Sequence, residues 1–280
     1  MLETILVPTD GSPESEKALA IAEQIARAQG AEILLVRVAE PMPAALATAE
    51  EGAGAELYES MTQAIESEVQ GGLQALDVRL KSEGYRTRAV LLHGSAAGAL
   101  LGCEAKEQPG LVVMATHGRG GLARLALGSV TDRLVREGSC PVLVVRRSGA
   151  GTTRIERALV MLDGSSVAEE VLPVVESLAG KPLTMIRLFR AVRDPKNREA
   201  AAAYLEGVAA RLVGHFATVE TALESGEARH LIERAAHDVD LVALCTHGRS
   251  GFDRLRHGNV AEHVMREVAK PALLVRAQAQ

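Results

Sequence analysis

Glycines, hydroxyls and cationic side chains crowd into one stretch of this chain. It reads Ala115-Thr116-His117-Gly118-Arg119-Gly120-Gly121, and nine residues separate Gly118 from Gly128-Ser129-Val130. Gly118, Gly120 and Gly121 let a backbone approach a ligand closely and adopt positive φ. Gly128-Ser129 is placed to open a helix, whose first N–H groups and positive dipole end attract anions. Ser129 adds a hydroxyl, and His117, Arg119 and Arg124 add donors or positive charge. Far away in sequence, Pro8-Thr9-Asp10-Gly11 carries a carboxylate among apolar neighbours. Asp10 has the chemistry to accept hydrogen bonds from an adenine amine or a ribose hydroxyl. The combination suits a phosphate-bearing ligand. Plainer roles stay open for the same residues. Ser129 is also a good helix cap with Asp132 three residues on, and Asp10 is also suited to closing a strand-to-helix turn.

Several other chemistries lack their residues. The chain has no G-x-x-x-x-G-K-[ST] loop, no G-x-G-x-x-G after its first strand-like run, no G-x-S-x-G elbow and no H-E-x-x-H. Cys103, Cys140 and Cys245 are far apart and form no C-x-x-C pair, so neither a metal site nor a disulfide is expected. A net charge of −5 and 2% aromatic residues disfavour nucleic acid, which calls for clustered cations or stacking rings. No apolar run reaches the roughly 20 residues that span a bilayer. The start shows no basic segment followed by a long apolar one, so a cytoplasmic protein without membrane contact is expected.

The elements that hold these residues follow from the apolar pattern. Continuous apolar runs at 5–7, 33–38, 89–92, 111–115 and 142–145 predict strands buried on both faces of a parallel sheet. Helices must then cover both faces. Ser12 and Pro13 start the first helix and Gly30 ends it. Leu57, Met61, Ile65, Val69, Leu73, Leu76 and Leu80 form a stripe expected to face the sheet.

The chain then repeats itself. Residues 112–146 and 242–276 align without gaps at an offset of 130, with about 16 of 35 positions identical. Residues 5–12 align with 158–165 at an offset of 153. Strands are predicted at 158–162, 183–188, 216–219, 241–245 and 272–275, and a shorter second helix over about 197–213. Each half reads as five strands and four helices, with domains at 1–148 and 153–280 joined by a polar, glycine-bearing linker. The expected fold is α/β, two tandem doubly wound five-stranded parallel-sheet domains of Rossmann-like type.

The opening Ile5-Leu6-Val7-Pro8-Thr9-Asp10-Gly11-Ser12, with Ala115-Thr116-His117-Gly118, nine residues and Gly128-Ser129, resembles the universal stress protein family. Its ATP-binding members carry G-x-x-G, nine residues, then G-[ST]; Ala115 stands here for the first glycine. The resemblance implies the adenine nucleotide alpha hydrolase-like variant of the fold and bound ATP, with Mg²⁺ as its usual companion. It implies adenine contacts from Asp10 and the backbone near Val38, in a pocket shaped by Pro8 and Thr9. Met114 and Ala115 would border the ribose. Gly118, Arg119, Gly128, Ser129 and Val130 would hold the phosphates, with His117 in the same loop. In the second half Asp163, Gly248, Gly258 and Asn259 take the matching positions. Asn259 replaces the hydroxyl residue and Leu162 replaces Thr9, so weaker ATP binding or none is expected there. The implied role is regulation in the stress response without fast turnover. Alternatives are a slow ATPase or nucleotidyl-transfer enzyme, and an interaction module without nucleotide. The halves are expected to pair through their last strands, and two chains to form a homodimer.

Overall fold

The computed structural model describes residues 2–41, 53–116, 128–146, 154–246 and 260–277. Ten strands form one sheet. In the first half they are β1 (Thr4–Pro8), β2 (Glu32–Ala39), β3 (Thr87–His93), β4 (Leu111–Ala115) and β5 (Val142–Val145). In the second half they are β6 (Arg157–Met161), β7 (Met185–Val192), β8 (Thr218–Ser225), β9 (Leu241–Thr246) and β10 (Ala272–Arg276). Their spatial order is β3-β2-β1-β4-β5-β10-β9-β6-β7-β8.

Among the described residues every strand pairing within a half is parallel, and the one antiparallel pairing joins β5 to β10. The two five-stranded sheets therefore pair through their last strands, as expected, and become continuous. Leu143 faces Leu273 at the seam, with Val142 opposite Leu274 and Val144 opposite Ala272. Leu143 faces its own repeat, and the pair Val142–Leu274 becomes Val144–Ala272 when the halves are exchanged, so a pseudo-twofold axis passes between the two leucines. Two arginines at matching positions lock the seam. Arg146 donates to the carbonyls of Val268 (2.6 Å) and Arg266 (2.5 Å). Arg276 donates to those of Glu137 and Gly138, both at 3.0 Å. Each cation thus meets the carbonyl end of the other half's last helix, where the dipole favours positive charge.

Alternate residues of each strand enter different cores, which explains the continuous apolar runs. Ile5, Val7, Ile33 and Leu35 pack on one face; Leu6, Leu34, Val112 and Met114 pack on the other. The first face is covered by α1 (Pro13–Gln29), α2 (Ala53–Ser82), α5 (Ser166–Glu169), α6 (Leu172–Ser177) and α7 (Arg198–Leu212). The second is covered by α3 (Ala96–Glu107), α4 (Ser129–Glu137), α8 (Ala228–Ala235) and α9 (Val260–Glu267).

Three expectations need correction. The counterpart of α1 is broken into α5 and α6, because Pro173 lacks an N–H and its ring clashes with the carbonyl four residues back, at Glu169. Strands β7 and β8 begin and end later than the apolar runs suggested. The α2 stripe is only half core. Leu73 and Leu80 are buried, but Met61 and Ile65 are 45% and 40% exposed, because 30 residues outrun the strands beneath them. The side chain of Leu57 lies outside the described residues. Among those residues, no helix is long and apolar enough to cross a membrane.

Candidate nucleotide site

Strand β1 lies between β2 and β4, so the carboxyl ends of all three strands meet at one edge. Pro8 ends β1 opposite Val36 of β2, and the Thr9 N–H donates to the Val36 carbonyl at 2.8 Å. Val38 lies two residues further along β2. Met114 and Ala115 end β4, the other neighbour of β1. The helix α4 opens immediately beside Thr116, because the Gly128 N–H donates to the Thr116 carbonyl at 2.9 Å. Pro8, Thr9, Asp10, Val38, Met114, Ala115, Gly128, Ser129 and Val130 are thus brought to one edge of the sheet. His117, Gly118 and Arg119 lie outside the described residues, as do Gly248, Gly258 and Asn259 of the second half.

The turn after β1 is tightly bonded. Asp10 Oδ1 accepts from the Ser12 N–H at 3.0 Å and from the Ser12 hydroxyl at 2.6 Å. Gly11 takes φ of 75°, a left-handed conformation that glycine adopts without strain. Ser12 in turn caps α1 by accepting from the Ser15 N–H at 3.2 Å. Thr9 Oγ1 accepts from the Gly11 N–H at 3.2 Å and lies 3.1 Å from Ser15 Oγ. One oxygen of Asp10 therefore has a structural task, the plainer of the two roles its position allowed.

Helix α4 begins differently from the sequence expectation. Its N-cap is Gly128, with φ −58° and ψ 146°, and Ser129 is the first helical residue. Glycine offers no side chain to cap the helix, and no side-chain cap bond is made. Ser129, Val130 and Thr131 supply the first-turn N–H groups of α4, the ones an α-helix leaves without an intrahelical acceptor, and such groups suit an anion. Ser129 is exposed, while Val130 packs partly against the core. The Met114 side chain is buried in the core beneath, leaving its backbone at the edge.

Three residues of this edge escaped the sequence reading. Thr131 is buried and donates to the Ala115 carbonyl at 3.1 Å, tying α4 to β4. Arg37, on β2, donates to the Asp10 carbonyl at 3.1 Å and reaches the Val69 carbonyl of α2 at 3.4 Å. Gly72 of α2 lies against that same guanidinium. The 153-residue offset of the repeat, carried past Ser12, would have singled out Arg37, because it falls on Arg190.

The second half repeats the turn. Asp163 Oδ1 accepts from the Ser165 N–H at 2.8 Å and its hydroxyl at 2.6 Å, and Gly164 takes φ of 93°. The surroundings differ. Leu162 buries its side chain in the core where Thr9 bonds to the turn. Arg190 stacks over the Tyr204 ring at 5.1 Å. Burial and the nearby Glu169 push the Tyr204 hydroxyl well above the ordinary phenol range. Among the described residues, no group of three or more His, Cys, Asp or Glu side chains is arranged to hold a metal ion.

Known proteins share this architecture. A universal stress protein of Thermus aquaticus is 35% identical over 147 residues, covering 52% of this chain and all of that protein. One from Mycolicibacterium smegmatis is 27% identical over 293 residues, covering 97% of this chain and 96% of the relative. The crystal structure of a universal stress protein from Archaeoglobus fulgidus superposes with a TM-score of 0.72 at 19% identity, covering 98% of both chains, which speaks for the fold alone. The model of the universal stress protein family matches residues 1–146 and again 154–276, so this chain belongs to that family, with two copies of its domain in tandem.

Proposed function

We propose that this protein binds ATP at the first-half edge and acts as a regulator in the stress response, with little or slow hydrolysis. The observation that carries the proposal is the opening of α4 on Gly128, without a side-chain cap, beside the ends of β1 and β4. A side chain at the N-cap would compete for those N–H groups, whereas glycine leaves them to a phosphate. The residues fit the ligand. Asp10, Thr9 and Pro8 line the side where an adenine and ribose would lie, with the Val38 backbone beside them. Gly128, Ser129 and Val130 would hold phosphates, joined by His117, Gly118 and Arg119 from the neighbouring loop. Bound ATP supplies the phosphate charge that the helix end attracts, and Mg²⁺ would enter with it.

One feature of the described edge supports slow turnover. Asp10, the acid at the end of β1, spends one oxygen on its own turn, and a general base must reach its proton within hydrogen-bond distance. The second half keeps Asp163 but replaces Thr9 by Leu162 and Ser129 by Asn259, so we assign the nucleotide mainly to the first half. Two measurements test this. Mass spectrometry of ligand released from the purified protein should find an adenine nucleotide. Titration calorimetry should then give close to one ATP per chain. A protein that carries no nucleotide and binds no added ATP would refute the proposal.

A further inference from the structure

Helix α2 contains two adjacent glycines, Gly71 and Gly72, in its interior. A glycine there costs about 1 kcal/mol relative to alanine. A Cβ built on Gly71 meets nothing within 4 Å. One built on Gly72 would lie 2.8 Å from Arg37 Nη1. That guanidinium is the group that donates to the Asp10 carbonyl. From this we infer that Arg37 is a positioning residue for the nucleotide site, and that Gly72 exists to admit it. The inference rests on the proposed ATP site.

Arg37 starts on β2, passes beneath α2 and holds the main chain of Asp10 from behind. The Asp10–Ser12 bonds shape the turn from within; the arginine sets where that turn sits relative to β2 and Val38. The second half shows what happens without the glycine. An offset of 132 carries Leu73, Leu76 and Leu80 onto the core residues Leu205, Val208 and Leu212 of α7. The same offset carries Gly72 onto Tyr204. The tyrosine ring takes the space beside α7, and Arg190 stacks on it. The Arg190 guanidinium presses on Gly164, so closely that a Cβ there would meet its nitrogens at 2.7 Å. One arginine position thus has two settings, chosen by the helix residue that faces it.

The pair of glycines provides the test. Gly71→Ala and Gly72→Ala raise helix propensity alike, and the clash at Gly72 falls on the far end of a flexible side chain, so both variants fold. ATP affinity is measured by titration calorimetry and stability by thermal unfolding, on the full chain. Gly71→Ala should keep wild-type affinity. Gly72→Ala should melt at or above the wild-type temperature yet bind ATP about tenfold more weakly, the size of one lost hydrogen bond. Arg37→Met should lose as much, Arg37→Lys less, because one donor survives. Combining Gly72→Ala with Arg37→Met should add nothing further. Wild-type affinity in Gly72→Ala or Arg37→Met overturns the inference and leaves the ATP site standing. A wild-type protein that binds no ATP overturns both.

Discussion

Replacing Asp10 by alanine, and Asp163 by alanine in parallel, separates the folding role of this carboxylate from any role toward a ligand. Asp10 Oδ1 accepts two hydrogen bonds from Ser12, which is 4% exposed. Asp163 accepts the same two from Ser165, in a more exposed turn. A hydrogen bond to a charged acceptor contributes about 1.5–3 kcal/mol when buried, and less at a rim open to water. We therefore expect a loss of about 2 kcal/mol for Asp10→Ala and about 1 kcal/mol for Asp163→Ala. At about 2–4 °C per kcal/mol, melting should fall by about 4–8 °C and about 2–4 °C. Titration calorimetry below both transitions then reads ATP affinity. The loss of affinity should be confined to Asp10→Ala. Asp10→Asn keeps an oxygen in the Oδ1 position, so it should keep most of the stability while losing the charge. Equal affinity losses in Asp10→Ala and Asp163→Ala would refute the assignment of the nucleotide to the first half. Unchanged affinity in both would remove Asp10 from the site.

Other perturbations probe the frame. Glu104 is 3% exposed, and its Oε1 accepts from the N–H groups of Ser139 (2.5 Å) and Cys140 (2.7 Å) and from the Ser139 hydroxyl (3.0 Å). Glu104→Ala strands one buried donor, the Cys140 N–H, and frees the part-buried Ser139 donors, and should cost about 2–3 kcal/mol in urea unfolding, whereas Glu104→Gln should cost about 1 kcal/mol. Arg276→Ala removes two bonds at the end of α4 and should cost about 1 kcal/mol, read by the same assay. Burial pushes the Cys140 thiol up to about 12, with Glu104 adding to it. The protonated thiol is the form the fold favours, so this contribution is complete below about pH 8.5 and is lost as pH rises toward 12. The urea midpoint should decline above about pH 9, and less steeply in Cys140→Ala. The native protein should also react slowly with a disulfide reagent at pH 8.

Much of the fold was legible because most strands are buried on both faces and must read as apolar runs. Where a strand lies at or next to the sheet edge, that signal weakens. Strand β8 is an edge strand, and Glu220, Thr221 and Glu224 interrupt its apolar positions. The run at 216–219 therefore marked only its beginning. Strand β7 runs on past its predicted end at Leu188, with Arg190 interrupting the apolar pattern there. Arg187 is a strand residue because Glu220 and Asp238 bond its guanidinium at 2.9 Å and 2.7 Å. Such pairing joins residues distant in sequence, so no local pattern announces it. The α2 stripe misled for the opposite reason. Its period was right, but periodicity carries no information about how far the sheet beneath extends.

The site was legible where backbone chemistry sets it and opaque where long side chains do. The Asp-Gly-Ser turn and the glycine at the start of α4 follow from local rules. Arg37 and Gly72 do not, since neither residue is unusual until the other is seen beside it. The duplication nevertheless acts as an internal control. Asp10 and Asp163 each accept two bonds from the serine two residues on, and Arg146 and Arg276 each bond carbonyls at the end of the other half's last helix, so these contacts serve the fold in both halves. Among the many positions that change between the halves, four bear on the proposed site. Thr9 becomes Leu162, Thr131 becomes Ala261, Ser129 becomes Asn259 and Gly72 becomes Tyr204. All four changes fall at or behind one edge of the sheet, at the ends of the first two strands and the fourth. Other differences are spread over the helices as well, since only about 16 of 35 positions repeat in the best-matched segment, and these four stand out by where they lie. Changes at those four positions are what a duplicated domain would acquire if one copy kept a ligand that the other had given up, and a stoichiometry of two ATP per chain would refute that reading.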